Sequence, residues 1–182
     1  SPATDTFNTG VGYEAGALIT TGVQNTIVGA SSGDALTDAD RNAVFGYGAL
    51  TLDTLGSRST AIGAITLANQ NFTTATESYN TAVGYAAGQE VTTGTFNTLI
   101  GGLSGDAITD ADFNVSMGYA ALSTNTVGSS SVAIGSFALN AQNPATAASM
   151  LNVAVGQSAG AAVTTGASNT FVGGLAGDAD TL

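Results

Sequence analysis

The chain has 182 residues, of which 8% are charged against about a quarter in a typical globular protein, and its 13 carboxylates face only two cations, Arg41 and Arg58, for a net charge of −11. With no basic face to hold a phosphate backbone, nucleic acid is not an expected partner, and with no cysteine or histidine, zinc and thiol chemistry are excluded. No apolar run reaches the ~18 residues of a membrane helix, SPATDTFNTG at the start is no signal peptide, and 43% hydrophobic residues can bury a core.

From Asn8 the chain restates one short phrase. NTGVG (Asn8–Gly12) is followed by NTIVG (Asn25–Gly29), NAVFG (Asn42–Gly46) and STAIG (Ser59–Gly63), so the closing glycine recurs at one constant interval. A slightly longer interval then leads to NTAVG (Asn80–Gly84), and the cycle runs again through Gly101, Gly118 and Gly135 to NVAVG (Asn152–Gly156) and Gly173. Ten short repeats are thus nested in longer units, at 8–79 and 80–151 with a partial one at 152–182. Such self-similarity marks a repeat architecture, and 1–182 reads as one domain.

Each phrase is short, rich in β-branched residues and bounded by glycine, which predicts a strand of about five residues. No stretch has helical periodicity. One strand per repeat in constant register predicts an all-β fold, a parallel β-solenoid of about ten rungs of 17–21 residues. Rungs about 4.8 Å apart give a rod on the order of 45 Å long. Asn or Ser stands four residues before every glycine, where amides can form a ladder from rung to rung. The glycines are expected to turn corners at positive φ.

The residue before the glycine is large and apolar in every copy (Val11, Phe45, Met117), and the one before that, on the opposite strand face, is mostly apolar too (Ile27, Val44, Leu99). A strand apolar on both faces is buried on both. A narrow rung encloses one face only, so a second copy of the chain is expected against the other, in closed cyclic symmetry about the rod axis. A wider single-chain solenoid is the alternative.

The pattern [N/S]-x-A-[V/I]-G-x-x-A, in STAIGAIT, NTAVGYAA, SVAIGSFA and NVAVGQSA, resembles the head repeats of YadA-like trimeric autotransporter adhesins and the repetitive regions of phage tail fibres. The resemblance spans essentially the whole chain. It implies a left-handed β-roll, a homotrimer, and a non-enzymatic structural or adhesive role as a shaft or head that projects or forms a cell-surface attachment site. It also implies an extracellular or virion-surface location, with the chain itself as partner and a cell-surface glycan as target. The repeats are longer than is usual in that family, and its neck, stalk, anchor and the tail-fibre chaperone domain are not recognisable. The chain therefore reads as a segment of a longer fibre, or a unit that stacks end to end.

Seven of the ten aspartates fall in one recurring segment: GDALTDAD (Asp34, Asp38, Asp40), GDAITDAD (Asp106, Asp110, Asp112) and a shortened copy at Asp178. Carboxylates at this spacing in a glycine-led turn can offer hard oxygen ligands to calcium, the one cofactor the sequence brings forward. Bound cations would also relieve the repulsion in a trimer carrying three times −11, or −33. The other reading is a polar turn in which Asp bonds the local backbone. In the last copy Asp180 stands where Leu36 and Ile108 stand, which predicts that the final rung leaves the repeat.

Tyr13, Tyr47, Tyr85 and Tyr119 follow the glycine on alternate rungs and are expected to pack on small residues of the rung between, rather than to stack on sugars. The extra residues of the long rungs fall in NQNFTTATES (Asn69–Ser78) and NAQNPATAAS (Asn140–Ser149), and loops of this kind on one solenoid face are candidates for binding or for spacing.

Two other functions are weighed. A polysaccharide-degrading, tailspike-like enzyme needs a carboxylate pair at one cleft, whereas Glu14, Asp53, Glu77 and Glu90 are scattered over different rungs. An ice-binding solenoid needs threonine on every successive rung, whereas ITTG at Ile19 and VTTG at Val91 and Val163 recur only once in each long unit.

Overall fold

Each phrase folds as a strand of three residues that ends just before its glycine. The computed structural model describes residues 5–179 and contains no helix among them. Its strands are β1 (Thr9–Val11), β2 (Thr26–Val28), β3 (Ala43–Phe45), β4 (Gly56–Ser57), β5 (Thr60–Ile62), β6 (Thr76–Glu77) and β7 (Thr81–Val83). The second half continues with β8 (Thr98–Ile100), β9 (Val115–Met117), β10 (Gly128–Ser129), β11 (Val132–Ile134), β12 (Ala148–Ser149), β13 (Val153–Val155) and β14 (Thr170–Val172). The ten three-residue strands form one parallel sheet, β1-β2-β3-β5-β7-β8-β9-β11-β13-β14, each rung paired with the next in sequence. Register follows the repeat: Thr26 faces Ala43 across a short rung, and Thr60 faces Thr81 across a long one. The long rungs add two small sheets, β4 with β6 and β10 with β12.

The strands are shorter than the sequence predicts because the backbone turns on both sides of them. The glycine that closes each phrase has φ between +124° and +143°. A Cβ at Gly118 would stand 2.6 Å from the carbonyl oxygen of Gly135 on the next rung, and the column is closed in this way wherever another rung follows. On the other side, the residue five before each glycine is left-handed although it is never glycine: Arg41, Arg58, Tyr79, Phe96 and Phe113 have φ of 57°, 64°, 49°, 57° and 58°. Such a conformation costs a non-glycine residue roughly 1–2 kcal/mol. Stacking offsets it, because the N–H groups of Arg41, Arg58, Phe96 and Phe113 donate to the rung before, Arg58 to the Asp40 carbonyl and Phe96 to the Ser78 carbonyl.

Of the two apolar faces, the solenoid encloses the one carrying Ile27, Val44, Ala61, Ala82, Leu99, Ala133 and Ala154, all fully buried. The rest of the core alternates in pairs of rungs. Where the fourth residue after the phrase glycine is Gly (Gly33, Gly105), the seventh is a buried aliphatic (Leu36, Ile108) that occupies the space a Cβ would take. Where the fourth is a buried leucine (Leu50, Leu67, Leu122, Leu139), the seventh is a buried polar residue (Asp53, Gln70, Asn125, Gln142). The large aliphatic side chain thus changes place between the two arrangements, seventh in one and fourth in the other.

The asparagine column bonds to itself from rung to rung as expected, through side-chain oxygen and backbone N–H. Each Oδ1 accepts the backbone N–H of its counterpart one rung on, Asn97 to Asn80 at 2.9 Å, while Nδ2 donates to a carbonyl 14 residues ahead, Asn25 to Ala39 at 2.7 Å. Between two asparagines of the column, a bond from amide to amide is also present at Asn25 and Asn8, at 3.2 Å. Serine is too short for both tasks, and where it replaces asparagine a glutamine spans the gap. Gln70 donates to Ser59 Oγ at 2.9 Å and accepts from Asn80 Nδ2 at 2.9 Å. Gln142 does the same between Ser131 and Asn152, at 3.2 and 2.8 Å. The buried polar column is thereby satisfied through both long rungs.

The other strand face points outward and is half-exposed, with Val28, Val83, Ile100 and Val155 the better covered. Phe45, Ile62, Met117 and Ile134 are 36–39% exposed, and Val11 and Val172 at the ends of the sheet more so. The expected departure of the chain from the repeat at Asp180 lies outside the described residues.

Candidate functional site: the acidic turn and the inserted loop

The aspartates of the two acidic turns are held mostly by neighbouring rungs. Asp34 accepts from Thr51 Oγ at 2.7 Å, Asp38 from Thr21 Oγ at 2.5 Å and Asp40 from the Val23 N–H at 2.8 Å. In the second unit Asp112 accepts from both the N–H and the hydroxyl of Thr95, at 2.7 and 2.9 Å, and Asp110 from its neighbour Thr109 at 3.1 Å. Asp106 differs: its buried Oδ1 has no hydrogen-bond partner. Burial chiefly, and the nearby Glu90 charge after it, raise its pKa above the ordinary carboxylate range. Among the described residues no group of three or more acidic side chains is gathered so as to hold a metal ion, and the six aspartates considered for calcium do not converge on one point.

In the first unit this turn faces the inserted loop. Pairing of β4 with β6 sets Ser57 opposite Glu77, and the two elements close a cleft of about 350 Å³ lined by Asp38, Asp40, Arg41, Ser57, Arg58 and the stretch Ala75–Glu77. In the first unit, part of the acidic turn and part of the inserted loop therefore line one cleft. Both cations of the chain stand in it. Arg58 pairs with Glu77 at 2.7 Å, and Arg41 lies 3.8 Å from Asp40. Arg58 also lies over the Tyr79 ring, 5.3 Å from its centroid, and the Tyr79 hydroxyl donates to Glu77 at 2.9 Å. That bond holds the phenol's proton and raises its pKa.

Tyr79 begins a stack along the rod, with Phe96 at 5.2 Å and Phe113 a further 5.0 Å on, all near parallel and exposed. Neither the cation cluster nor this stack was anticipated. A signal was available, because the units differ at these places: Arg41, Arg58, Glu77 and Tyr79 correspond to Phe113, Ser130, Ser149 and Leu151.

The other candidates lie elsewhere. Tyr13, Tyr47, Tyr85 and Tyr119 are 53–73% exposed on the outer face, less packed than expected. The Tyr119 ring does lie over Gly102 on the rung between, and meets Phe137 edge-on at 5.5 Å. Asp53, one of the scattered carboxylates, is fully buried, and accepts from Gln70 Nε2 at 2.6 Å and from the N–H groups of Gly56 and Phe72 at 3.0 and 3.2 Å. A second cavity of about 260 Å³ lies at the first rung, where Gly10 stands in the inward position that Ile27 fills on the next. No helix among the described residues is long and apolar enough to cross a membrane. Comparison of the chain with protein-family models, with curated proteins and with solved structures gives no match.

Proposed function

We propose that the chain is a segment of a homotrimeric β-solenoid fibre without enzymatic activity, located outside the cell or on a virion. It serves as the shaft or head of an attachment structure such as a phage tail fibre or surface adhesin, with a cell-surface glycan as target. The observation that supports this best is the outer face of the ten-stranded sheet. Its strand residues next to the glycines, from Val11 to Val172, are apolar on every rung, and the exposed tyrosines border them. A continuous apolar strip of this kind is more than monomeric proteins leave bare. Copies rotated about a common axis cover one another's strips in register along the rod, and the assembly is closed. Three copies is the number the resemblance to YadA-like heads implies.

Light scattering tests this directly. A mass near three times 17.7 kDa is expected, and a mass of 17.7 kDa would overturn the reading. The mass is expected to survive a calcium chelator, because five of the six turn aspartates already accept hydrogen bonds within the chain. Dissociation in chelator would turn those aspartates into metal ligands.

A further inference from the structure

We propose that the cleft between the acidic turn and the inserted loop of the first unit binds a neutral saccharide through hydrogen bonds. The proposal rests on the attachment reading for its biological use, although the site itself belongs to a single chain. What recurs in both units is what the rod needs in order to fold. The charged set does not recur: β10 and β12 pair as β4 and β6 do, with Ser149 opposite Ser129 where Glu77 stands opposite Ser57. The second unit builds the same backbone with Phe113, Ser130 and Leu151 in place of Arg41, Arg58 and Tyr79. The Arg58–Glu77 pair is partly exposed, with side chains 36% and 55% accessible, and such pairs add little stability.

The polar groups of the cleft are fixed in place but not used up. The buried Nε of Arg58 has no acceptor among the described residues. Arg41 is held only at 3.8 Å from Asp40, and Thr76, whose hydroxyl donates to the Thr74 carbonyl at 3.0 Å and can still accept, lines the wall. Three carboxylates stand among two guanidinium groups, so the cleft carries a net charge of −1 within a chain of −11. An anionic ligand is repelled there, and two of the three carboxylates, Asp40 and Glu77, already stand beside an arginine. Hydroxyl groups, which each donate and accept, match alternating fixed donors and acceptors. A cleft of 350 Å³ admits a small sugar unit. Recognition goes through hydrogen bonds because the Tyr79 ring is covered, by Arg58 on one face and Phe96 on the other.

The two arginines give a clean probe, since a ¹H–¹⁵N spectrum of the full chain carries only two Nε–H signals of this type. The protein is titrated with maltotriose, cellotriose, mannotriose and triacetylchitotriose, and with a galacturonic acid trimer as the acidic counterpart. A saturable shift of the Arg58 signal with at least one neutral sugar is expected. Glycan binding, read by saturation transfer, should weaken at least tenfold in Arg58→Ser and Glu77→Ser, with the thermal midpoint essentially unchanged because the second unit carries serine at both places. The proposal is overturned by the absence of a shift with every neutral sugar, by equal binding in both variants, or by preferred binding of the acidic trimer that salt abolishes. A trimeric mass without sugar binding would leave the fibre standing and remove this site. Sugar binding by a monomer would do the reverse.

Discussion

Asp53 and Asn125 hold the same place in successive units, and their surroundings explain why one is an acid and the other an amide. Asp53 faces three donors, the side chain of Gln70 and the N–H groups of Gly56 and Phe72. In the second unit proline, Pro144, replaces Phe72 and offers no N–H, and Asn125 instead binds both the N–H and the carbonyl of Gly128, at 3.1 and 2.7 Å. Burial raises the pKa of Asp53 above its unfolded value, and its hydrogen bonds only partly oppose this. A raised folded pKa means that the acid's stabilising share is whole below the unfolded pKa and is lost as pH climbs through the folded one. Relative to Asp53→Asn, the native chain should therefore lose thermal stability as pH rises from acid to neutral, and parallel melting curves would remove Asp53 from that account. The phrase glycines answer to sterics instead. Gly118→Ala adds a Cβ at φ 139° against the Gly135 carbonyl. A cost of at least about 2 kcal/mol is expected by denaturant unfolding, the upper part of the usual range for a strained backbone.

At the scale of the rung, the exchange between a glycine–aliphatic pair and a leucine–polar pair is a coupled choice. Leu122→Gly alone empties a fully buried site and should cost about 2–5 kcal/mol. Adding Asn125→Leu recreates the pairing of the other rungs, so the double variant should lose about 1 kcal/mol less than the sum of the two single changes. Strict additivity in a double-mutant cycle would show the two positions to be independent. The period, the strand phrase and the apolar nature of both strand faces were legible in the sequence because alternation and spacing are local facts. The left-handed backbone at Arg41, Phe96 and Phe113 was not. It is fixed by bonds that exist only once rungs stack, such as the Phe113 N–H to the Thr95 carbonyl at 3.1 Å. The asparagine column and its bonding from rung to rung were legible, but a single column does not reveal the carbonyl 14 residues on, nor that Gln70 stands in where Ser59 falls short. The cleft stayed hidden for a different reason. Arg41, Arg58 and Glu77 come from three separate stretches, and the sign of it was a difference between units in a chain read for their likeness.

In the whole molecule every strand of the long sheet pairs only with the rung before and the rung after, so stability should add up rung by rung. Removing residues 80–151 joins Tyr79 to Asn152 in the same context as the natural junction and should leave a shorter, folded rod, seen as an unchanged β spectrum with a smaller hydrodynamic size. Removing 80–139 breaks the register and should abolish cooperative melting. The same stacking governs how the rod answers to force. Its strands lie across the axis, so a pull from end to end strains the hydrogen bonds of a single rung at a time instead of all at once. Each rung that opens gives up about 4.8 Å of rod and frees its own stretch of chain, on the order of 55 Å when extended. Loaded from its tip, such a rod yields in steps and dissipates the pull, lengthening many-fold before it parts.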